Sequence, residues 1–178
     1  MDFTLSAEVD AARLKARQFV IDEVLPVEAD KNNYDAHENI TLAALAPLRE
    51  KAKSIGLWAP QMPVERGGMG LTTIGMAAVY EEMNRSIFGP VAINCAAPDD
   101  GNMFLLNRVG TEAQKQKWLQ PIIDGDVHSS FVMTEPHPGS GSDPSMMLTK
   151  AEPISNSKWR ITGRKWYITG AESATHFI

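Results

Sequence analysis

The sequence is poor in several features that mark whole classes of protein. Its 178 residues include a single cysteine, so an internal disulfide is excluded and a reducing compartment fits best. No apolar run approaches the ~20 residues that cross a bilayer. Residues 1–5 lack the basic-then-apolar layout of a signal peptide. We therefore predict a cytoplasmic protein that does not enter a membrane.

Positive charge is also scarce. The chain has 17 Lys and Arg against 22 Asp and Glu, for a net charge of -5. Binding to nucleic acid requires clustered cations, so this class of function is not expected. The four histidines lack ligand spacing, so no metal site is predicted. Cys95 has no evident activating partner, and we interpret it as a core or loop residue instead of a catalytic thiol.

The composition that remains, 43% apolar and 22% charged, is that of an ordinary globular protein. Residues 1–127 have helical patterns and residues 128–178 have strand patterns. We therefore predict the α+β class. An N-terminal all-helical bundle domain (1–127) precedes an incomplete antiparallel β domain (128–178).

Helices are predicted from apolar residues that recur every three or four positions. The predicted helices cover residues 6–25, 45–55, 73–85 and 100–108. Pro26 is predicted to end the first. The last helix is the best marked, because Thr111 and Gln114 form a capping box at its start and Gly125 closes it.

Strands are predicted from β-branched and aromatic residues between turn residues. The predicted strands cover residues 128–133, 146–151, 159–162, 165–169 and 175–178. Because the connections are too short for crossover helices, an antiparallel sheet is expected.

Three motifs in the last third of the chain carry chemistry. They are Phe131-Val132-Met133-Thr134-Glu135-Pro136, Gly139-Ser140-Gly141-Ser142-Asp143 and Lys165-Trp166-Tyr167-Ile168-Thr169-Gly170. The glycine turn lets backbone N–H groups approach a pyrophosphate, although a plain surface turn remains the alternative. Thr134, at a strand end, can offer its hydroxyl to the edge of a ring, or it can be an ordinary strand residue.

The third motif combines aromatic rings with a hydroxyl. Strand alternation predicts Tyr167 and Thr169 on one face and Trp166 and Ile168 on the other. An aromatic ring beside a hydroxyl can pack against an isoalloxazine and hydrogen-bond its reactive edge. Packing of these rings in a core is the alternative.

Together, the three motifs and the helix start at residues 110–119 resemble the N-terminal part of an acyl-CoA dehydrogenase, over essentially all 178 residues. Residues 97–103 are similar to the subgroup that occurs as a domain of multi-domain members. The resemblance implies FAD-dependent α,β-dehydrogenation of an acyl-CoA, in which a carboxylate removes the α proton and the flavin takes the β hydride. It also implies an acyl-CoA substrate, an electron-transfer flavoprotein as acceptor, and a homo-oligomer.

The resemblance also implies roles for single residues. The cofactor-binding residues that it predicts are Phe131, Met133, Thr134, Gly141, Ser142, Trp166, Tyr167 and Thr169. Thr134 would meet the polar ring edge and Thr169 the reactive ring nitrogen. Ser142 would lie near the pyrophosphate and also bind the pantetheine of the substrate. Tyr167 stands where many relatives have tryptophan, and residues 101–108 would form part of the acyl-pocket wall.

The family's general base lies in a C-terminal helical domain, beyond residue 178, so no catalytic residue is predicted in this chain. Glu81 and Glu82 are interpreted as solvated or paired groups. We therefore expect a truncated enzyme without turnover, with weak or absent FAD binding, that self-associates through a sheet edge at residues 177–178. The alternatives are a flavin oxidase or monooxygenase of the same superfamily, and a non-catalytic helical interaction module.

Overall fold

The computed structural model describes residues 4–178, and the chain divides into two compact units, Met1–Asp126 and Val127–Ile178. The first unit is helical. Its helices are α1 (Ala7–Phe19), α2 (Leu25–Ala29), α3 (Leu42–Ser54), α4 (Thr73–Met83), α5 (Gly89–Ala92), α6 (Asp99–Val109), α7 (Glu112–Gln114) and α8 (Gln120–Asp124). The second unit contains a few short strands. The predicted fold class, a helical domain followed by an incomplete β part, is confirmed.

Helices of the first unit begin at side-chain caps. Ser6, Thr41 and Thr72 each accept a hydrogen bond from the backbone N–H three residues later. The capping box is confirmed: Oγ1 of Thr111 accepts from the N–H of Gln114 at 3.3 Å, and Oε1 of Gln114 accepts from the N–H of Thr111 at 2.8 Å. These caps satisfy first-turn amides that have no partner inside the helix. Among residues 4–178, no helix is both long and apolar enough to cross a membrane.

The prediction that Pro26 ends the first helix is wrong. Helical structure continues to Ala29, because the π-helical turn Val20–Val24 separates α1 from α2 and places Pro26 in the first turn of α2. The same arrangement recurs where the π-helical turn Lys115–Leu119 precedes Pro121 in α8. Proline lacks an N–H and crowds the carbonyl four residues earlier, and the wider turn leaves that carbonyl room.

The apolar core of the chain lies in the first unit. Its largest fully buried apolar side chains are Phe88, Leu57, Met62, Met83, Ile93, Met103, Leu119, Ile122 and Ile123. Within this unit α1 packs against α4. Cys95 is buried, and burial raises the pKa of its thiol, which agrees with a core role.

The second unit contains two separate strand pairs. β2 (Lys150–Ser155) and β3 (Lys158–Thr162) form the expected antiparallel hairpin. β1 (Ser129–Ser130) and β4 (His176–Phe177) instead pair in parallel, so the antiparallel prediction is wrong for them. That prediction considered only consecutive strands, whereas the hairpin and its flanking loops lie between β1 and β4 and give the chain enough length for a parallel return.

Other predicted strands are shorter or absent. Residues 165–169 form no strand, and Tyr167 has a φ of 50°, which lies outside the extended region. The predicted strand from residue 146 begins only at Lys150, since Pro144–Met146 forms a 3₁₀ turn. The strand predicted over residues 128–133 is regular only at β1. The residue types indicated extended chain here. A regular strand also needs a partner strand to pair with, and the residue types do not specify that partner.

Burial in the second unit is unusual, since every buried residue there is polar. These residues are Ser129, Ser130, Glu135 and Ser140. All residues of the β2–β3 hairpin are exposed, including Trp159 and Ile161. Hydrogen bonds and the ion pair between Lys165 and Glu135 therefore organise this unit, in place of an apolar core of its own.

Candidate functional site

The backbone of residues 129–134 is hydrogen-bonded to two other segments of the second unit. The N–H of Ile178 donates to the carbonyl of Ser130 at 2.9 Å, and the N–H of Val132 donates to the carbonyl of Ile178 at 2.6 Å. Farther along, the N–H of Trp166 donates to the carbonyl of Thr134 at 3.1 Å. Oγ of Ser130 donates to the carbonyl of Thr169 at 2.8 Å. The first and third sequence motifs therefore lie side by side.

The three hydroxyls that the sequence singled out have no internal role. Thr134 is half-buried, while Ser142 and Thr169 are exposed. Their side chains form no hydrogen bond with any other residue in the part of the chain that the structure describes. The hydrogen bonds described above join the segments of Thr134 and Thr169, so these two residues belong to adjacent segments of the chain. These hydroxyls are free to bind a ligand.

Aromatic side chains of both segments are exposed. Phe131 is 49% exposed, Trp166 42% and Tyr167 85%, and Met133 between them is half-buried. The rings of Trp166 and Tyr167 contact each other, with centroids 4.8 Å apart. The expected alternation of these two side chains across a strand is therefore wrong, because the left-handed backbone at Tyr167 redirects its ring.

The glycine turn is tied to the end of the first motif. The N–H of Glu135 donates to the carbonyl of Ser140 at 2.6 Å, and Oγ of Ser140 donates to the carbonyl of Asp143 at 2.8 Å. The two glycines differ. A Cβ at Gly139 would lie 2.5 Å from Oε2 of Glu135, whereas a Cβ at Gly141 would meet nothing within 4 Å. Gly139 therefore serves internal packing, and only Gly141 is open to a ligand.

Glu135 is the one residue of this region whose importance the sequence analysis missed. Its carboxylate accepts hydrogen bonds from the N–H of Leu148 at 2.6 Å, from the N–H and hydroxyl of Thr149, and from Nζ of Lys165 at 2.9 Å. The hydroxyl of Thr149, with these other donors, holds the pKa of Glu135 well below its usual range. Its partners lie 13 to 30 residues away in the chain, so no local signal could identify them.

A separate cleft lies in the first unit. It encloses about 760 Å³ and is lined by residues of α1, of the loop at residues 67–71 and of α8. Nζ of Lys53 lies on one wall, 4.6 Å from the centre of the Trp58 ring. None of the site residues predicted from the sequence lines this cleft.

The donor set of the second unit fits the cofactor that the resemblance implies. An isoalloxazine needs apolar surface along its ring and hydrogen-bond partners at its polar edge, and exposed aromatic side chains lie beside the unpaired hydroxyls of Thr134 and Thr169. A diphosphate needs N–H and hydroxyl donors on an unobstructed turn. The open backbone at Gly141 and the free hydroxyl of Ser142 meet that need.

Comparison with known proteins shows which family the chain resembles. The family model described as "Acyl-CoA dehydrogenase, N-terminal domain" matches residues 6–126. A probable acyl-CoA dehydrogenase, FadE2 of Mycobacterium tuberculosis, is 35% identical over 176 residues, covering 96% of this chain and 42% of that protein.

Two solved structures extend the similarity to the fold. A putative acyl-CoA dehydrogenase from Mycobacterium abscessus is 37% identical with a TM-score of 0.81, covering 94% of this chain and 44% of that one. An acyl-CoA dehydrogenase complexed with FAD from Bacillus anthracis is 28% identical with a TM-score of 0.70. The match covers 98% of this chain and 28% of that one. The chain thus spans less than half the length of each of these relatives.

Proposed function

The chain belongs to the acyl-CoA dehydrogenase family, and on that basis we propose that it contributes part of the flavin site of an enzyme that dehydrogenates acyl-CoA thioesters. In this proposal the first unit is the N-terminal helical domain and the second is part of the flavin-binding β domain. The observation that carries it is the side-by-side arrangement of residues 130–134 and 166–169, with free hydroxyls on both segments.

We assign the cofactor contacts as follows. Thr134 and Thr169 hydrogen-bond the polar edge of the isoalloxazine, because their hydroxyls are otherwise unpaired. The exposed apolar side chains that pack along the ring are Phe131, Met133, Trp166 and Tyr167. Gly141 and Ser142 bind the diphosphate, and Ser142 also contacts the pantetheine of the substrate. Bound FAD supplies the acceptor for the hydride that leaves the β carbon of the acyl chain.

The α proton must be removed by a carboxylate, and the buried, ion-paired carboxylates of Glu82 and Glu135 are unsuited to that task. Glu82 and Glu135 are buried, and hydrogen bonds from neighbouring donors lower the pKa of each. A carboxylate held in its ionised form by several donors is a weak base and has no free access to substrate. We therefore do not assign Glu82 or Glu135 as the catalytic base.

The substrate and partners are proposed from family membership. The substrate is an acyl-CoA, the electron acceptor is an electron-transfer flavoprotein, and the enzyme is a homo-oligomer. Helix α6 exposes Phe104 and Leu105, with 43% and 40% of their surfaces accessible. We propose that this face of α6 contributes to the wall along the acyl chain, since an aliphatic chain binds best to apolar surface.

A titration followed by amide NMR tests the flavin site directly. FAD added to the isotope-labelled chain should produce saturable, weak shifts at Thr134, Ser142 and Thr169. ADP, which shares the diphosphate but lacks the ring, should shift Gly141 and Ser142 alone. Thr134→Val should reduce FAD affinity about fivefold, as expected for one net hydrogen bond. Saturable shifts confined to residues outside 127–178 would contradict the proposal.

A further inference from the structure

Glu135 is buried in the second unit and contacts three separate pieces of chain, at residues 139–140, 148–149 and 165. Its side chain is 3% exposed, and its ion-pair partner Lys165 is 17% exposed. The carboxylate accepts from the backbone at the start of the hairpin, at Leu148 and Thr149, and from the ammonium of Lys165. No apolar residue is buried in this unit, so buried polar interactions such as this cluster hold its segments together.

The same residue is connected to both parts of the proposed cofactor site. On the ring side, Nζ of Lys165 donates to the carbonyl of Met133 at 2.9 Å as well as to Glu135. The next residue, Trp166, donates its N–H to the carbonyl of Thr134. The ion pair therefore holds the two ring-contacting segments together.

On the diphosphate side, the backbone and side chain of Glu135 both contact the glycine turn. Its N–H donates to the carbonyl of Ser140 at 2.6 Å. Its side chain fills the space beside Gly139, where a Cβ would come within 2.5 Å of Oε2. The position of the turn that precedes Gly141 and Ser142 is therefore set by the side chain of Glu135.

We propose that Glu135 is a positioning residue for the flavin, whose carboxylate holds the ring-contacting segments and the diphosphate turn in one relative geometry. This inference rests on the proposed function. It adds that one buried group, which touches no part of the cofactor, couples both ends of the cofactor site.

The chemistry of the cluster requires a carboxylate. All four groups that face it are donors, and an ionised carboxylate offers acceptors only. A glutamine has one acceptor oxygen and an NH₂ group that would face another donor. It would also leave the Lys165 ammonium without its counter-charge. An aspartate is one methylene shorter and cannot reach all four donors from the same backbone position.

The test uses two spectroscopic signals from FAD bound to the chain. The visible absorption band reports the environment of the ring, and the ³¹P resonances report the diphosphate. Glu135→Gln should change both signals together and weaken FAD binding by about tenfold or more, as expected when several charge-assisted bonds are lost. Thr134→Val should change the ring signal alone, and Ser142→Ala the ³¹P signal alone. The matched control Glu152→Gln, at an exposed position of β2, should change neither.

A second, milder variant tests the proposal if Glu135→Gln does not fold. Thr149→Val removes one donor to the carboxylate and keeps the backbone N–H, so it should change both signals in the same direction but less. Adding Lys165→Met to Glu135→Gln removes both charges and should not restore FAD affinity. If the double variant restored FAD affinity, the proposal would be overturned. The loss of affinity in Glu135→Gln would then come from the unpaired charge of Lys165. A change in only one of the two signals would also overturn it.

A measurement without FAD separates this inference from the proposed function. In hydrogen exchange, Glu135→Gln should accelerate the amides of Glu135, Leu148, Thr149 and Trp166 together. If the FAD-induced shifts lay only outside residues 127–178, the proposed function would fail. The exchange result would still decide whether Glu135 couples the segments. Acceleration confined to a single segment would overturn the positioning role.

Discussion

Arg17 and Glu82 lie 65 residues apart in the chain and form an ion pair between α1 and α4, with Nη2 of Arg17 2.6 Å from Oε1 of Glu82. Arg13 and Arg85 also donate to the same carboxylate, at 2.9 and 2.7 Å. Glu82 is only 2% exposed. These hydrogen bonds, chiefly that of Arg17, lower the pKa of Glu82 to about 2. The interpretation of Glu82 as a paired structural group is thereby confirmed.

Replacing this carboxylate should destabilise the first unit in a pH-dependent way. Glu82→Gln should lower the free energy of unfolding by about 2 kcal/mol at pH 7, because charged hydrogen bonds to a buried group are lost. The folded pKa of about 2 is below the ordinary value of 4.5. The carboxylate therefore stabilises the fold above pH 4.5, and this contribution disappears as the pH falls toward 2.

Urea unfolding of both proteins at pH 7, 4 and 2.5 measures this difference. The difference in the free energy of unfolding between parent and variant should decrease steadily as the pH falls. Glu81→Gln, at the exposed neighbouring position on α4, is the matched control and should have little effect. A gap that stayed constant from pH 7 to 2.5 would show that ionisation of Glu82 does not support the fold.

The capping box at the start of α7 should contribute measurably to stability. Thr111→Ala should lower the free energy of unfolding by about 1 kcal/mol, since the N–H of Gln114 loses its side-chain acceptor. Thr111→Ser keeps a hydroxyl in the same place and should restore most of the loss. Thr73→Ala, one residue inside α4 and exposed, serves as control. Thermal unfolding of the four proteins would refute the assignment if the alanine and serine variants at position 111 behaved alike.

The two glycines of the diphosphate turn should respond in opposite ways to the same substitution. Gly139→Ala forces a methyl group against Glu135 and should destabilise the second unit by about 1–3 kcal/mol, as overpacking does. The methyl group that Gly141→Ala adds points into open space, so this variant should leave stability nearly unchanged. It should nevertheless weaken FAD binding, because the methyl group obstructs the approach of the diphosphate. Hydrogen exchange within residues 127–178 and an FAD titration report the two effects separately, and equal destabilisation by both variants would contradict this distinction.

Tyr167 should carry backbone strain that glycine relieves. Its φ of 50° disfavours any residue with a Cβ by roughly 1 kcal/mol. Because the side chain is 85% exposed, Tyr167→Ala and Tyr167→Gly both remove the ring at little packing cost. Tyr167→Gly should therefore be more stable than Tyr167→Ala by about 1 kcal/mol. Chemical denaturation compares them directly, and an alanine variant as stable as the glycine variant would exclude the strain.

Much of the first unit could be predicted from the sequence. The capping box at Thr111, the end of α3 near residue 55 and the helix over α6 all follow from interactions within a few residues of the chain. Such interactions act in any surroundings, so they can be recognised without knowing the fold. One exception was Pro26, where the preceding π-helical turn widened to accept the ring, and another was the short helix α5, which was not predicted.

The second unit was less predictable. The motifs around Thr134 and Thr169 identified two segments that do lie side by side. Their conformation was predicted wrongly, since residues 165–169 are not a strand. The roles assigned to the individual side chains stay predictions until FAD binding is measured. Strand propensity depends on partners across the sheet, and a single sequence does not specify them.

The amino-acid sequence by itself determined the approximate positions of the longer helices, the helical and strand-rich parts, and the family, because each depends on neighbours in the chain or on short motifs. Only the tertiary structure decided that Glu135 binds four donors, that Glu82 joins α1 to α4, and that Gly139 is a packing residue while Gly141 is open. Those contacts link residues up to 69 positions apart. Their geometry exists only after the chain has folded, since burial and distance, and not residue order, set the energy of a charged group.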